Sequence, residues 1–262
     1  MKYKDLFDMT GKVCVVTGGT GYLCSGNVQM LKEFGATVVV ADIREEESRW
    51  DHAPEVERDM FVQCDTGSTP SIQEAFKKVY DTYGHIDVLV NGVAYGGAHG
   101  KLSQLEFTPD DVWEKGIDGA LGSTFRCTRE VIPYMKKTGG SIINYCSMYG
   151  IVAPDLRIYG DNPQKQPANY GSAKGAVLQF TRYSASALAE YGIRVNCVTP
   201  GPFPNPKNQG DAEFNQKLAD KTMLGRFGKN HEMAGAVLLL ASEAGGFMTG
   251  SNITVDGGWT AW

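Results

Sequence analysis

Val13-Cys14-Val15-Val16-Thr17-Gly18-Gly19-Thr20-Gly21 sets an apolar run against a cluster of glycines, and helical spacing of apolar residues resumes over Asn27–Phe34. Apolar residues without polar alternation read as a strand covered on both faces. Glycines at the end of such a strand permit a tight turn. They also let the backbone approach a pyrophosphate, which then rests on the N-terminus of the following helix. A glycine turn alone is a weak signal. Its weight rises because Val38-Val39-Val40-Ala41-Asp42 follows, a second strand closed by a carboxylate. A carboxylate there accepts hydrogen bonds from the adenosine ribose hydroxyls and repels the extra phosphate of NADP. Gly18, Thr20, Gly21 and Asp42 together point to a dinucleotide site that takes NAD. NADP is the less favoured cofactor, although Arg44 is near enough to meet its phosphate.

The same alternation continues along the chain. Val13–Thr17, Val38–Ala41, Ile86–Asn91, Ser141–Tyr145, Ile193–Val198 and Ile253–Val255 read as buried strands. Between them Asn27–Phe34, Ser71–Tyr83, Asp110–Met135, Ala173–Tyr191 and Glu232–Ala241 carry helical spacing. Strand and helix in turn predict one α/β domain over residues 1–262, a doubly wound Rossmann-type fold with helices on both faces of a parallel sheet. Ligands of such sheets bind beyond the carboxyl ends of the strands, so function belongs just after Thr17, Asp42, Asn91, Tyr145 and Val198. The stretches at about 92–108, 147–168 and 201–224 follow strand ends and are expected to face substrate.

Composition narrows the class. The 262 residues are 42% hydrophobic and 21% charged, with a net charge of −5. Charges of both signs are interspersed, so no basic footprint suggests nucleic acid or an anionic membrane as a partner. No stretch approaches a membrane span, and the first residues lack the apolar core of a signal peptide. Cysteines 14, 24, 64, 127, 146 and 197 show neither Cys-x-x-Cys nor metal-ligand spacing. Thiols inside apolar runs behave as small core residues, and no metal site is expected. A cytoplasmic, reducing setting is the simplest one.

Several motifs together resemble the short-chain dehydrogenase/reductase family. They are Thr17-Gly18-Gly19, Cys64-Asp65, Val90-Asn91, Ser147, Tyr170-Gly171-Ser172-Ala173-Lys174, Arg194–Gly201, Thr249-Gly250 and Val255-Asp256-Gly257-Gly258. The likeness runs over nearly the whole chain. It implies a seven-stranded parallel sheet, a nicotinamide dinucleotide as cofactor, a small-molecule substrate and a homotetramer. Around the cofactor it implies Gly18, Thr20, Gly21, Tyr22, Leu23, Cys64, Asn91, Gly92, Val93 and Pro200, with Asp65 at the adenine and Gly201 to Phe203 at the nicotinamide. Tyr170 and Lys174 belong to the same set. The chain departs from the pattern where the family places glycines and this sequence has Tyr22 and Cys24. Gly21 and Gly26 are expected to supply the turn and the close packing instead. After Asn91, where a second Asn and a Gly are common, it reads Gly92-Val93-Ala94.

The chemistry rests on Ser147, Tyr170 and Lys174. Tyr170 and Lys174 stand four apart on an expected helix and share a face. A phenol ionises near pH 10, too high for an effective base at neutral pH. A neighbouring ammonium, with the positive charge of oxidised nicotinamide, favours the phenolate. Ser147 is placed to hold the substrate oxygen while Tyr170 exchanges a proton with it. Many relatives also carry an Asn where this chain has Ala120. Either Ser123 or Thr124 replaces it, or solvent does.

The stretch from Ala153 to Pro167 is longer than usual in relatives, polar and proline-stiffened. It is expected to overhang the site, with Arg157 and Lys165 available to a carboxylate and Asn162, Gln164 and Gln166 to hydroxyls, or else to be simply solvated, as polar loops more often are. With the Gly-Gly-Thr-Gly turn, it resembles the gluconate 5-dehydrogenase-like group. That likeness implies a sugar acid, a sugar or another polyhydroxylated substrate. A bulkier apolar carbonyl, such as a steroid or acyl thioester, is the alternative, with Met223, Leu224, Phe227 and Trp259 lining the pocket. An NAD-sensing protein without turnover is the alternative of another class. His52 and His99 read as bystanders. The aromatic tail Trp259–Trp262 suits a subunit interface, or else folds back over the pocket.

Overall fold

Val13–Thr17 forms β1 near the middle of a seven-stranded sheet, every one of its residues buried. The computed structural model describes residues 2–45, 58–206 and 211–262. The remaining strands are β2 (Thr37–Asp42), β3 (Met60–Gln63), β4 (Val88–Asn91), β5 (Gly140–Tyr145), β6 (Ile193–Pro200) and β7 (Asn252–Val255). They lie in the order β3-β2-β1-β4-β5-β6-β7, and all neighbours run parallel. The order reverses direction between β1 and β4, which opens the crevice where such sheets take ligands.

Alternate residues of each strand serve opposite faces, because side chains on a strand repeat every second residue. Cys14 and Val16 pack with Val38, Val40, Val90 and Ile143 beneath α1 (Tyr22–Glu33) and α7 (Asn230–Ala241). Val13 and Val15 pack on the other face with Val39, Leu89, Ile142 and Val195. That face is covered by α2 (Thr69–Tyr83), α4 (Ser123–Met135) and α5 (Ala168–Leu188). Among the described residues, α3 (Asp110–Ile117) and α6 (Ala212–Asp220) follow the loops that leave the carboxyl ends of β4 and β6. Among the described residues no helix is long and apolar enough to cross a membrane.

The expected seven-stranded doubly wound sheet is present, with local differences. α1 begins at Tyr22 rather than Asn27. Gly26 supplies the close packing expected of it, since a Cβ there would come within 3.0 Å of the Asn230 carbonyl oxygen on α7. β3 gives little apolar signal because it is a short edge strand whose only fully buried residue is Val62. The single helix expected over Asp110–Met135 is interrupted by a π-helical turn at Asp118–Gly122. Gly119 explains the interruption: its Cα packs against the Tyr95 carbonyl with no room for a Cβ.

Candidate active site

Ser147, Tyr170 and Lys174 meet at the carboxyl end of β5. Ser147 follows the strand by two residues, caps a 3-10 turn by accepting the Tyr149 N–H at 3.2 Å, and is 5% exposed. Tyr170 and Lys174 lie in the first turns of α5. The Lys174 ammonium donates to the Tyr145 carbonyl oxygen at 2.7 Å and lies 5.9 Å from the centroid of the Tyr170 ring. Lys174 is thus tied to β5 by its backbone, an anchor for which the sequence carries no signal.

Burial sets the acid–base character. It pushes the Tyr170 phenol above its ordinary value, against a hydrogen bond from Ser147 that lowers it. Burial also pulls the Lys174 ammonium down to about 8. The lowering expected from Lys174 is not what opposes burial here; the Ser147 hydrogen bond is, and desolvation outweighs it. What can favour the phenolate further is positive charge brought by a ligand.

The glycine turn lies beside this group. Gly18 adopts φ +66°, a left-handed conformation that suits glycine, and a Cβ there would come within 3.0 Å of Val93 Cγ2. Gly21 caps α1, whose first turn presents Tyr22, Leu23 and Cys24. Asp42 is buried at the end of β2. One of its carboxylate oxygens accepts the Thr20 hydroxyl and N–H, and the other accepts the Ile43 N–H at 2.8 Å. Asp65 is exposed after the buried Cys64 and accepts the Gly67 N–H at 2.8 Å. Asn91 turns its amide into the sheet, donating to Asn144 at 2.9 Å and Thr128 at 3.2 Å. Beyond Pro200, Gly201 pairs its N–H with Val255 at 3.0 Å, and the Phe203 ring packs on Gly228.

A nicotinamide dinucleotide fits this set. An open left-handed glycine turn, a helix N-terminus, a carboxylate at the next strand end and a buried ammonium lie along one crevice. The two departures in the sequence prove to be one. A Cβ on Gly92 would run into the Cys24 sulfur and come within 2.8 Å of the Thr17 carbonyl oxygen. Cys24 thus fills the space that a side chain at position 92 would take.

Other expectations change. The insert Ala153–Pro167 does not hold its polar groups free for a substrate. Arg157 pairs with Asp155 at 2.8 Å, and the Lys165 ammonium donates to the Gly160 carbonyl at 2.7 Å. Asn162 accepts the Gln164 N–H at 2.8 Å, Gln164 accepts the Gly100 N–H at 2.6 Å, and Gln166 faces the Tyr159 hydroxyl at 3.5 Å. On its other side the insert reaches α6, through Asp155 to Lys221 at 2.5 Å and Tyr159 against Phe214 at 5.0 Å between ring centroids. Ser123 and Thr124 turn back onto their own helix. Both hydroxyls donate to the Ala120 carbonyl, at 3.1 and 2.8 Å, as such groups do inside helices. Trp259 is buried, edge-on to Tyr149 with ring centroids 6.1 Å apart. Trp262 donates to the Lys221 carbonyl at 3.2 Å, so the tail folds back onto the end of α6. His99 is exposed in its loop. His52 and residues 207–210 lie outside the described residues.

Comparison with known proteins gives a consistent picture. The family model described as Enoyl-(Acyl carrier protein) reductase matches residues 23–260. The chain is 34% identical to the 3-oxoacyl-[acyl-carrier-protein] reductase FabG of Thermotoga maritima, over 95% of this chain and 98% of that one. It is 33% identical to trans-4-hydroxycyclohexanecarboxylate dehydrogenase of Sinomonas cyclohexanicum, over 95% of this chain and 93% of that one. Among solved structures it is similar to a gluconate 5-dehydrogenase from Burkholderia cenocepacia in complex with NADP and tartrate. The TM-score is 0.84, with 28% identity and 98% of each chain covered.

Proposed function

The chain belongs to the short-chain dehydrogenase/reductase family, an oxidoreductase of alcohol and ketone groups, and from that premise we propose that it uses NAD on a small polyhydroxylated alcohol or sugar acid. Asp42 carries the cofactor reading. A buried carboxylate at the end of β2, bonded to Thr20 of the glycine turn, accepts ribose hydroxyls and repels a phosphate in their place. Arg44, exposed two residues further on, is the group that would favour NADP.

A bound nicotinamide supplies the hydride acceptor or donor. Around it, Ser147 holds the substrate oxygen and Tyr170 exchanges the proton at that oxygen. Lys174, held on the Tyr145 carbonyl, adds positive charge on the side where phenolate forms. The related structure with tartrate supports a small hydroxylated acid as substrate. A bulkier acyl or ring ketone is the second reading. Met223 and Leu224 are 49% and 64% exposed, Leu224 lines a cavity beside Phe203, and the Thermotoga maritima relative is named for a 3-oxoacyl group. We include a homotetramer in the proposal, supported by the fully exposed Phe247, and light scattering tests it.

The test is a spectrophotometric screen of NAD⁺ and NADP⁺ reduction with sugar acids, polyols, cyclic alcohols and 3-hydroxyacyl thioesters, with Tyr170→Phe as blank. NADH formed from a sugar acid or polyol, and absent in the blank, supports the reading. A preference for NADP⁺ overturns the role of Asp42. Turnover confined to acyl thioesters or cyclic alcohols moves the substrate to the second reading. Dinucleotide binding without turnover of any alcohol points to a sensing protein instead.

A further inference from the structure

Three segments that are distant in sequence converge on one guanidinium beside the β3–α2 loop. Arg126, in the first turn of α4, grips Asp118 of the π-helical turn with two nitrogens, at 2.7 and 2.9 Å. Its Nε donates to the carbonyl oxygen of Thr66 at 2.8 Å. Tyr95, from the loop after β4, donates its hydroxyl to the same Asp118 carboxylate at 2.8 Å and lies 3.4 Å from the guanidinium. Gly67 lets the tyrosine approach, since a Cβ there would come within 2.8 Å of the Tyr95 hydroxyl and 3.0 Å of Asp65 Oδ1.

A planar guanidinium presents several donors in fixed directions, so one side chain can hold a carboxylate and a carbonyl at once. The Arg126 side chain is only 15% exposed, so these bonds are partly shielded from water. Nothing in the acid–base chemistry uses them. Their effect falls on Thr66, the residue after Asp65. We propose that Arg126, with Asp118 and Tyr95, is a clamp that positions the 64–67 loop for the adenine half of the dinucleotide. Arg126 is a positioning residue in this role, and the inference rests on the proposed cofactor site.

The clamp predicts an effect confined to one half of the cofactor. Calorimetry with NAD and with nicotinamide mononucleotide, which lacks the adenosine, separates the halves. Arg126→Ala is expected to raise the Kd for NAD by about tenfold, the loss of roughly one charge-assisted hydrogen bond. Its affinity for the mononucleotide and its kcat at saturating NAD should match wild type. Arg126→Lys, which can meet either Asp118 or Thr66 but not both, should fall between the two. Tyr95→Phe removes a single hydroxyl and keeps the test open if Arg126→Ala fails to fold. It should weaken NAD by about threefold and leave the mononucleotide unchanged. Equal weakening of NAD and mononucleotide, or unchanged NAD affinity in these variants, overturns the clamp while the cofactor site stands. Wild-type protein that binds no dinucleotide overturns both.

Discussion

At the carboxyl ends of β1, β4 and β5 the structure is held by close contact: Gly18 against Val93, Gly92 against the buried Cys24, and the buried Lys174 against the Tyr145 carbonyl. Over the substrate side, the insert Ala153–Pro167 is held by hydrogen bonds between loops. Gln164 binds Gly100, Lys165 N–H binds Ser103 at 2.7 Å, and Gln104 binds the Pro163 carbonyl at 3.0 Å. Close-packed interiors feel a single methyl group, whereas polar contacts that are only part-buried or exposed can be replaced by water. The floor is thus built to keep one geometry, and the cap can rearrange at small cost. A cofactor common to many enzymes suits the first, and a substrate particular to one suits the second.

The floor should therefore give large effects. Tyr170→Phe is expected to lower kcat by about a thousandfold with NAD still bound in calorimetry, the scale of a lost general acid–base group. Comparable turnover in this variant would remove Tyr170 from the chemistry.

Lys174→Met should stabilise the fold while abolishing turnover. The folded-state value of Lys174 is about 8, below its ordinary 10.5, so burial of the charged form opposes folding. That penalty is complete below pH 8 and is relieved as pH rises toward 10.5, because the unfolded chain binds the extra proton in between. The variant should gain about 3 kcal/mol at pH 7, at roughly 1.4 kcal/mol per pH unit. The gain should vanish above about pH 10.5. Urea unfolding at several pH values reads it, and a pH-independent difference would exclude burial of the Lys174 charge as its origin.

Gly92→Ala should destabilise by about 1 to 3 kcal/mol, as overpacking does. Cys24→Ala in the same chain should recover part of that loss, because the sulfur is removed while the Thr17 carbonyl stays in place. Additive losses would show that the two positions are not complementary.

The cap should give the smallest change. Gln164→Ala is expected to raise the substrate KM by about threefold, with NAD affinity unchanged. The melting temperature should stay within about 1 °C of wild type. A large fall in melting temperature would place the insert with the rigid floor and erase the contrast.

The strands were legible because covered β-strands are continuous apolar runs, and Val13–Thr17 is found with the boundaries that its pattern suggests. β3 was not, since an edge strand with one fully buried residue gives almost no signal. The Tyr170–Lys174 pair was legible through the family resemblance, since helical spacing alone suits any solvated pair, and the glycine turn through its place after β1. The start of α1 is easily misread because Cys24, Ser25 and Gly26 look like turn residues, while close packing on α7 decides their conformation. The internal partners of the polar insert were not legible, because composition tells that a group can form a hydrogen bond and not which partner it will find.

Local pattern thus determined the fold and the order of its elements, since periodicity and spacing act over a few neighbouring residues, and the family resemblance singled out the three residues at the end of β5. Tertiary structure alone decided that Cys24 fills the space of residue 92, that Lys174 rests on a backbone carbonyl, and that Arg126 joins three distant segments. Each of those depends on atoms that only the folded sheet brings within reach, across separations of 29 to 68 residues.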